Sequence, residues 1–158
     1  MYSSTGSERS TDLVPYLLNR AVGAFNDAWL EQLRGHGVTI ARWQLLAILG
    51  EYDGARLGQL AEMSGTKQST ATRVVDQMER DGLVRRHADG SDGRAVEIRL
   101  TPAGRRLLDE LQPEAVRLVD HALAGLDDAE NRALMNALTT VMSNLVRTVP
   151  DPQSAARP

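Results

Sequence analysis

The order of patterns between Leu57 and Gly104 most constrains what this chain can fold into. A short and a longer segment with helical periodicity are separated by Gly65, and two short segments with strand character follow. Ala61 lies four positions before Gly65, so two helices can cross closely there and the glycine can form a left-handed turn. This order predicts two helices joined by a tight turn, followed by a β-hairpin.

The longer segment has the pattern of an amphipathic helix. Its apolar residues recur at i, i+3, i+4 and i+7, and they are Ala71, Val74, Val75 and Met78. This spacing predicts one face packed against a core. We expect Thr66 or Ser69 to cap the helix, which should run to about Asp81 and end at Gly82.

Polar side chains occupy the opposite face of this helix. They are Ser69, Arg73, Asp76 and Arg80, flanked by Thr70, Thr72 and Gln77. Hydroxyl, amide and guanidinium groups suit the major groove of DNA, because arginine can bond to guanine and the others to bases or phosphates. The same composition is also typical of an ordinary solvated helix face, so the helix alone does not decide between the two.

The following segment predicts a hairpin with an arginine beside its tip. The two strands and the loop between them should span residues 83–88, 94–100 and 89–93. Apolar residues alternate with charged ones from Val96 to Leu100, the period of a half-buried strand. Arg94 can enter the minor groove, and Asp92 can orient its guanidinium through a charge-assisted hydrogen bond. Alternatively, Asp92 only forms the turn and Arg94 is solvated.

Two groups of residues resemble signatures of the multiple antibiotic resistance regulator (MarR) family. Asp92–Arg94 together with Leu100–Gly104 is similar to the wing of that family. Ser69–Arg73, followed by Met78–Val84, is similar to its recognition helix and the exit from it. The resemblance extends from about residue 13 to about residue 146. A departure is Thr66-Lys67, where the family more often has an apolar residue and a capping serine.

The resemblance implies a mainly α fold with a small β-hairpin. A winged helix-turn-helix core of about residues 39–101 would be flanked by dimerisation helices of about 11–35 and 102–148. Together these would make one unit over residues 11–149. The compositions of residues 1–10 and 150–158 predict mobile tails.

The resemblance also implies which residues contact double-stranded DNA. For base or phosphate contact these are Gln68, Ser69, Thr70, Thr72 and Arg73. Arg94 would enter the minor groove with support from Asp92. Two chains would interlock through their first and last helices and bind a pseudo-palindromic operator as a homodimer.

Long amphipathic helices independently favour self-association. Leu13, Leu17 and Phe25 share one face of the first helix, while Thr101-Pro102 and Asp127-Asp128 open two further helices. Pro113 should kink or break the first of these two. A self-contained monomeric helical bundle is the alternative.

An effector pocket for a small lipophilic or aromatic ligand follows only by analogy with similar regulators. Arg20 could neutralise a carboxylate there, and Trp43 could form a wall, although Trp43 also fits a core position. The sequence does not identify the effector.

Composition excludes several other functions. The sequence has no cysteine, which excludes disulfides and thiol-based sensing. Its three histidines are widely separated and have no metal-ligand spacing, so we expect no metal and no cofactor. No nucleophile elbow, zinc-protease motif or phosphate loop is present, so we expect no enzyme activity. The lack of an apolar span or a signal-like start favours a cytoplasmic protein.

The charge distribution is compatible with DNA binding despite a net charge of −3. The segment from Lys67 to Arg106 contains nine basic and six acidic residues, so its net charge is positive and that of the remainder is negative. We therefore predict a homodimeric transcriptional regulator, specifically a repressor released by a small molecule. A winged helix that binds protein instead of DNA is the alternative, but it should expose apolar residues opposite Ala71 and Met78.

Overall fold

The computed structural model describes residues 13–88 and 96–148, which form two compact units divided after Leu118. The predicted tails, Asp92 and Arg94 lie outside the described residues. The elements in chain order are α1 (Val14–Arg34), α2 (Ile40–Glu51), α3 (Leu57–Met63), α4 (Gln68–Arg80), β1 (Val84–Ala88), β2 (Val96–Leu100), α5 (Pro102–Ala122) and α6 (Asp128–Thr148). This order confirms the predicted mainly α fold with a two-stranded hairpin.

Helices α3 and α4 are joined by the predicted tight turn. Gly65 has a φ of +64°, and the next N–H, that of Thr66, donates to the Ala61 carbonyl at 2.9 Å. A second turn of this kind ends α4, where Gly82 has a φ of +71° and the Leu83 N–H donates to the Met78 carbonyl at 2.8 Å. Glycine is suited to both positions because a Cβ disfavours positive φ.

The predicted cap of α4 was wrong. Lys67 is the N-cap residue, and no side chain accepts a hydrogen bond from the first turn. Thr66 does not serve because its backbone completes the turn after α3 and its hydroxyl lies 2.9 Å from that of Ser64. Ser69 lies inside the helix. The boundary at Arg80 agrees with the predicted end near Asp81.

Strands β1 and β2 pair antiparallel, with Val84 opposite Leu100 and Ala88 opposite Val96. Val84 and Ile98 are buried on the inner face of the hairpin. The segment before α3 also pairs with β2, since the Gly54 N–H donates to the Ile98 carbonyl and the Ile98 N–H donates to the Ala55 carbonyl, both at 3.0 Å. The hairpin is thereby fixed at the edge of the helix-turn-helix.

The apolar face of α4 packs into the main core, as predicted. Val75 and Met78 are fully buried and Ala71 nearly so, while Val74 is half-buried. The other buried members of this cluster are Leu45, Leu46, Leu49, Ala55, Leu60, Val84, Ile98 and Leu108. Every element from α2 to α5 contributes to the cluster, so the orientation of α4 depends on all of them.

A second cluster joins α1 to α5. Trp29 and Leu33 of α1 pack with Val38 and with Leu111 of α5. The ring of Trp29 meets that of Trp43 edge-on, with centroids 5.0 Å apart and an interplanar angle of 68°. Trp43 thus fits the core position that was the alternative to ligand contact.

Thr101 and Gly104 fix the start of α5 against the exit of α4. The Thr101 hydroxyl accepts from the Gly104 N–H at 3.1 Å and donates to the Gly82 carbonyl at 2.5 Å. The Thr101 N–H donates to the Leu83 carbonyl at 3.0 Å. Thr101-Pro102 therefore opens α5 as predicted, with proline at the first helical position.

Pro113 does not break α5, which excludes one of the two alternatives expected there, a kink or a break. The helix continues from Pro102 to Ala122 through the proline. Leu111 before it and Leu118 after it pack in the same apolar cluster. Burial on both sides of Pro113 offsets the one helical hydrogen bond that its missing N–H removes.

The unit from Val119 onward contains the end of α5 and all of α6. Asp127 caps α6 as predicted: its carboxylate accepts from the N–H groups of Ala129 and Glu130 at 2.8 Å. Glu130 reciprocates by accepting from the Asp127 N–H at 2.8 Å, which completes a capping box. In the part of the chain that the structure describes, no helix is both long and apolar enough to cross a bilayer.

We predict that Gly104→Ala destabilises the protein by about 1 to 3 kcal/mol, the usual cost of overpacking. A Cβ on Gly104 would lie 2.0 Å from the Leu83 carbonyl oxygen, so backbone would have to move. Gly58→Ala is the matched control in α3, because its Cβ would meet nothing within 4 Å. Chemical denaturation checks both variants, and equal stabilities would contradict the close approach at Gly104.

Candidate nucleic-acid interface

The N-terminal half of α4 presents an exposed polar surface. Gln68, Ser69, Thr70 and Arg73 are exposed, and Thr72 is half-buried. The Thr72 hydroxyl donates to the Gln68 carbonyl at 2.8 Å, which leaves its oxygen able to accept from a partner. The structure therefore brings the five predicted α4 residues together on the first two turns of one helix.

Thr70 lies at the border of this surface. It lines a narrow cleft with Ala41 and Gln44 of α2, next to the buried Ala71. Ser69 and Arg73 are four positions apart, so their side chains lie on one stripe of α4. Ser69 and Arg73 do not line the cleft beside α2. A DNA groove could therefore approach this stripe without meeting α2.

The positive end of α4 is open to solvent. No side-chain acceptor caps its first turn, and the N-cap residue Lys67 is exposed. Uncapped N–H groups and the helix dipole attract anions, and the lysine adds a full positive charge. With Lys67 as its N-cap residue, this helix end can therefore meet an anion such as phosphate.

Arg86 of β1 pairs with both carboxylates of α4. The Arg86 guanidinium lies 2.6 Å from an Asp76 oxygen and also pairs with Glu79. In addition, the backbone N–H of Arg86 donates to the Glu79 carboxylate at 3.0 Å. Hydrogen bonding to Asp76, supported by Glu79 and opposed by burial, raises the pKa of Arg86 above its usual range. The residue therefore stays charged, and it ties the hairpin to α4.

Other carboxylates near this surface are paired as well. Asp81 pairs with Arg42, and Glu97 accepts from Arg99 at 2.6 and 3.0 Å. By contrast, Lys67 and Arg73 have no carboxylate partner among the residues that the structure describes. The positive charge beside the polar stripe is thus available to an anion from outside the chain.

The predicted wing residues Asp92 and Arg94 lie in the segment 89–95, outside the described residues. The structure fixes where that segment leaves and returns, at Ala88 and Val96, which face each other across the hairpin. Minor-groove insertion by Arg94 with support from Asp92 stays a prediction.

Arg20 and Trp43, the predicted effector residues, have different surroundings. Trp43 lines a cavity of about 190 Å³ between α2 and α5, together with Ala47, Gly50, Glu51, Arg105, Leu108, Asp109 and Gln112. Arg20 is not among the lining residues; it is exposed on α1, with its guanidinium 5.8 Å from the centre of the Tyr16 ring. The cation at this cavity is Arg105, which lies 3.6 Å from Asp53.

Sequence reasoning missed Arg86 and Arg105. Arg86 stands two positions after Val84, so strand alternation places it on the inner face of the hairpin. That signal was present, because an inward arginine requires a carboxylate partner. Arg105 gave no comparable signal, since its contact with Asp53 joins positions far apart in the chain.

Comparison with known proteins gives a consistent result. The family model described as "MarR family" matches residues 38–96. A MarR-family transcriptional regulator from Silicibacter pomeroyi has a similar structure, with a TM-score of 0.75 and 34% identity over 87% of this chain and 92% of that chain. The HTH-type transcriptional repressor IacR of Pseudomonas putida is 28% identical over 87% of this chain and 82% of its own length.

A third similar protein is linked to a small molecule. The structure of Bordetella bronchiseptica BpsR, described as showing a mechanism for regulation of its DNA binding by 6-hydroxynicotinic acid, has a TM-score of 0.73. Its identity to this chain is 26%, over 82% of this chain and 98% of that chain.

We predict that Arg86→Gln lowers stability by about 1 to 2 kcal/mol, because it leaves Asp76 and Glu79 half-buried without a cation. Adding Asp76→Asn and Glu79→Gln to Arg86→Gln should restore most of the loss, since amides carry no charge. Urea denaturation of the single and triple variants makes the comparison. A triple variant less stable than the single one would contradict this account of the charges.

Proposed function

Because the chain belongs to the MarR family of transcriptional regulators, we propose that it is a sequence-specific DNA-binding repressor. In this proposal a homodimer binds a pseudo-palindromic operator and is released by a small molecule. α4 enters the major groove, and the hairpin tip enters the adjacent minor groove.

The observation that carries the proposal is the state of the α4 surface. Ser69 and Arg73 are exposed on one stripe, whereas the acidic groups of the same helix are paired with Arg86 of β1. Arginine and hydroxyl side chains can then bond to base edges and phosphates without nearby uncompensated repulsion. A protein-binding surface would instead expose apolar groups, and this stripe exposes none.

Homodimerisation is supported by apolar residues that each unit leaves exposed. At the N-cap of α1, Leu13 is exposed by 54%, and within α1, Leu17 and Phe25 are exposed by 56% and 38%. In α6, Met142 and Leu145 are exposed by 60% and 62%. Long helices with such faces gain stability by burial against a second copy. Two copies of α4 spaced about 34–36 Å apart would then match successive major grooves.

Release by a small molecule is supported by the cavity beside Trp43 and by the relatives. BpsR, whose DNA binding is described as regulated by 6-hydroxynicotinic acid, is 26% identical to this chain. We propose that an aromatic or lipophilic acid binds between α2 and α5, with Trp43 as an apolar wall and Arg105, which lines the cavity, as the cation. A ligand there would displace α2, which packs against α4 in the main core.

For DNA binding we predict that wild type binds one duplex from its gene's own upstream region tightly and that added salt weakens this binding. Arg73→Ala should weaken it about tenfold or more, because a base contact contributes roughly 1–3 kcal/mol. Arg94→Ala should weaken it as well. Fluorescence polarisation of duplexes tiling that region at two salt concentrations makes the measurement.

The matched control is Arg34→Ala, which removes an exposed arginine paired with Glu31 at the end of α1. It should bind as wild type does. If no duplex is preferred over random DNA, a genome-wide selection with the same protein decides the matter, and a second failure would favour a protein partner.

For the effector we predict that Arg105→Ala binds phenolic acids more weakly than wild type, because the variant lacks the cation that lines the cavity. Trp43→Leu should also bind more weakly because it shortens the cavity wall. Saturation binding of a phenolic-acid series measures both, and Arg20→Ala in the same series tests the residue predicted from the sequence. An affinity of either arginine variant equal to that of wild type would remove that arginine from the site.

A further inference from the structure

An open groove lies beside the C-terminal end of α4, where β1 and the start of α5 meet. Its volume is about 810 Å³. We call it the basic groove, and the basic residues lining it are Arg85, Arg86, His87 and Arg106. Arg86 is neutralised by Asp76 and Glu79. Arg85 and Arg106 are exposed and, within residues 13–88 and 96–148, pair with no carboxylate.

Arg85 stands where the hairpin itself disfavours a cation. It lies directly opposite Arg99 in the antiparallel pair. Like charges at directly opposite positions destabilise a sheet. Arg99 is held by Glu97, at 2.6 and 3.0 Å, so that carboxylate does not serve Arg85. The fold therefore gains nothing from the charge of Arg85.

Arg106 is the second unpaired cation of the basic groove. It follows the first turn of α5, where the effect of the helix dipole has fallen off, and that turn contains no acidic residue. The preceding Arg105 is compensated by Asp53 at 3.6 Å, whereas no described carboxylate compensates Arg106. A residue that opposes local stability, as Arg85 does, is expected at a functional position.

Resting on the proposed function, we propose that the basic groove binds the sugar-phosphate backbone of DNA flanking the bases that α4 contacts. The 13 residues of α4 span about 20 Å at 1.5 Å per residue. A recognition helix contacts bases through its N-terminal residues, so its C-terminal end lies toward the edge of the groove. The basic groove is at that end, beside Glu79 and Gly82.

The lining favours a phosphate backbone over an acidic protein segment. Of its apolar residues Val84 is buried, Leu100 and Ala103 are half-buried, and Pro102 is exposed. A peptide-binding groove requires apolar pockets for anchoring side chains. The carboxylate in the lining, that of Glu79, is paired with Arg86, so the unpaired Arg85 and Arg106 are available to a repeating anion of fixed spacing.

The test measures the salt dependence of binding for wild type and for the double variant Arg85→Ala/Arg106→Ala. Two probes are used: the selected operator duplex trimmed to its minimal length, and the same duplex with random flanks. With the flanked duplex, the slope of log K against log salt should decrease in magnitude by roughly 3.6 in the double variant, because each protomer of the proposed homodimer loses two phosphate contacts at about 0.9 per contact. With the minimal duplex the two proteins should bind alike.

Arg34→Ala serves as the control and should keep the wild-type slope on both probes. The double variant should unfold at the wild-type temperature or higher, because it removes the repulsion between Arg85 and Arg99, so loss of folding will not imitate the effect. Polyglutamate is titrated in parallel as an acidic-chain probe.

The outcomes separate the two proposals. If wild type prefers one duplex but the double variant has the same salt slope as wild type on the flanked duplex, the proposal for the basic groove is overturned and the proposed function stands. An unchanged DNA slope with lost polyglutamate binding likewise overturns it in favour of an acidic protein partner. Wild type that binds no duplex overturns the proposed function, and with it this occupant of the groove.

Discussion

Burial of the apolar face of α4 is the constraint on which the rest of the structure depends. Val75 and Met78 are fully buried against α2, α3, the hairpin and α5. A close-packed core allows few orientations of a helix that touches so many elements. The polar stripe of Ser69 and Arg73 is therefore held in a fixed direction by side chains on the opposite side of the same helix.

Ion pairs explain how an acidic chain can present a positive surface. The carboxylates nearest to α4 are satisfied from within: Asp76 and Glu79 by Arg86, and Asp81 by Arg42. What an approaching phosphate meets is then decided by the unpaired cations rather than by the net charge of −3. Because Arg86 belongs to the hairpin, the same pairs also fix β1 relative to the recognition helix.

Sequence periodicity predicted most of the fold because local pattern and packing agree. Three predicted features are present in the structure. They are the buried face of α4 from Ala71 to Met78, the turns at Gly65 and Gly82, and the opening of α5 at Thr101-Pro102. The cap of α4 was mispredicted, and α5 does not break at Pro113, for one reason. In both places, tertiary or turn contacts outweigh a local preference, namely a capping side chain in α4 and the helix-breaking tendency of Pro113 in α5. Of the candidate site, the α4 stripe could be predicted, whereas the Arg105–Asp53 contact could not.

The same fold links the cavity to the recognition helix through α2 and α5. Trp43 lines the cavity on α2, whose leucines pack against α4. Arg105 lines it on α5, and its partner Asp53 also accepts from the Leu100 N–H of the hairpin at 2.9 Å. An anion that attracts Arg105 would compete with Asp53 for the guanidinium. The loss of that ion pair would change the position of Asp53, which also accepts from β2. A single cavity can thus bias both parts that are proposed to contact DNA, because α4 and the hairpin each share a contact with its walls.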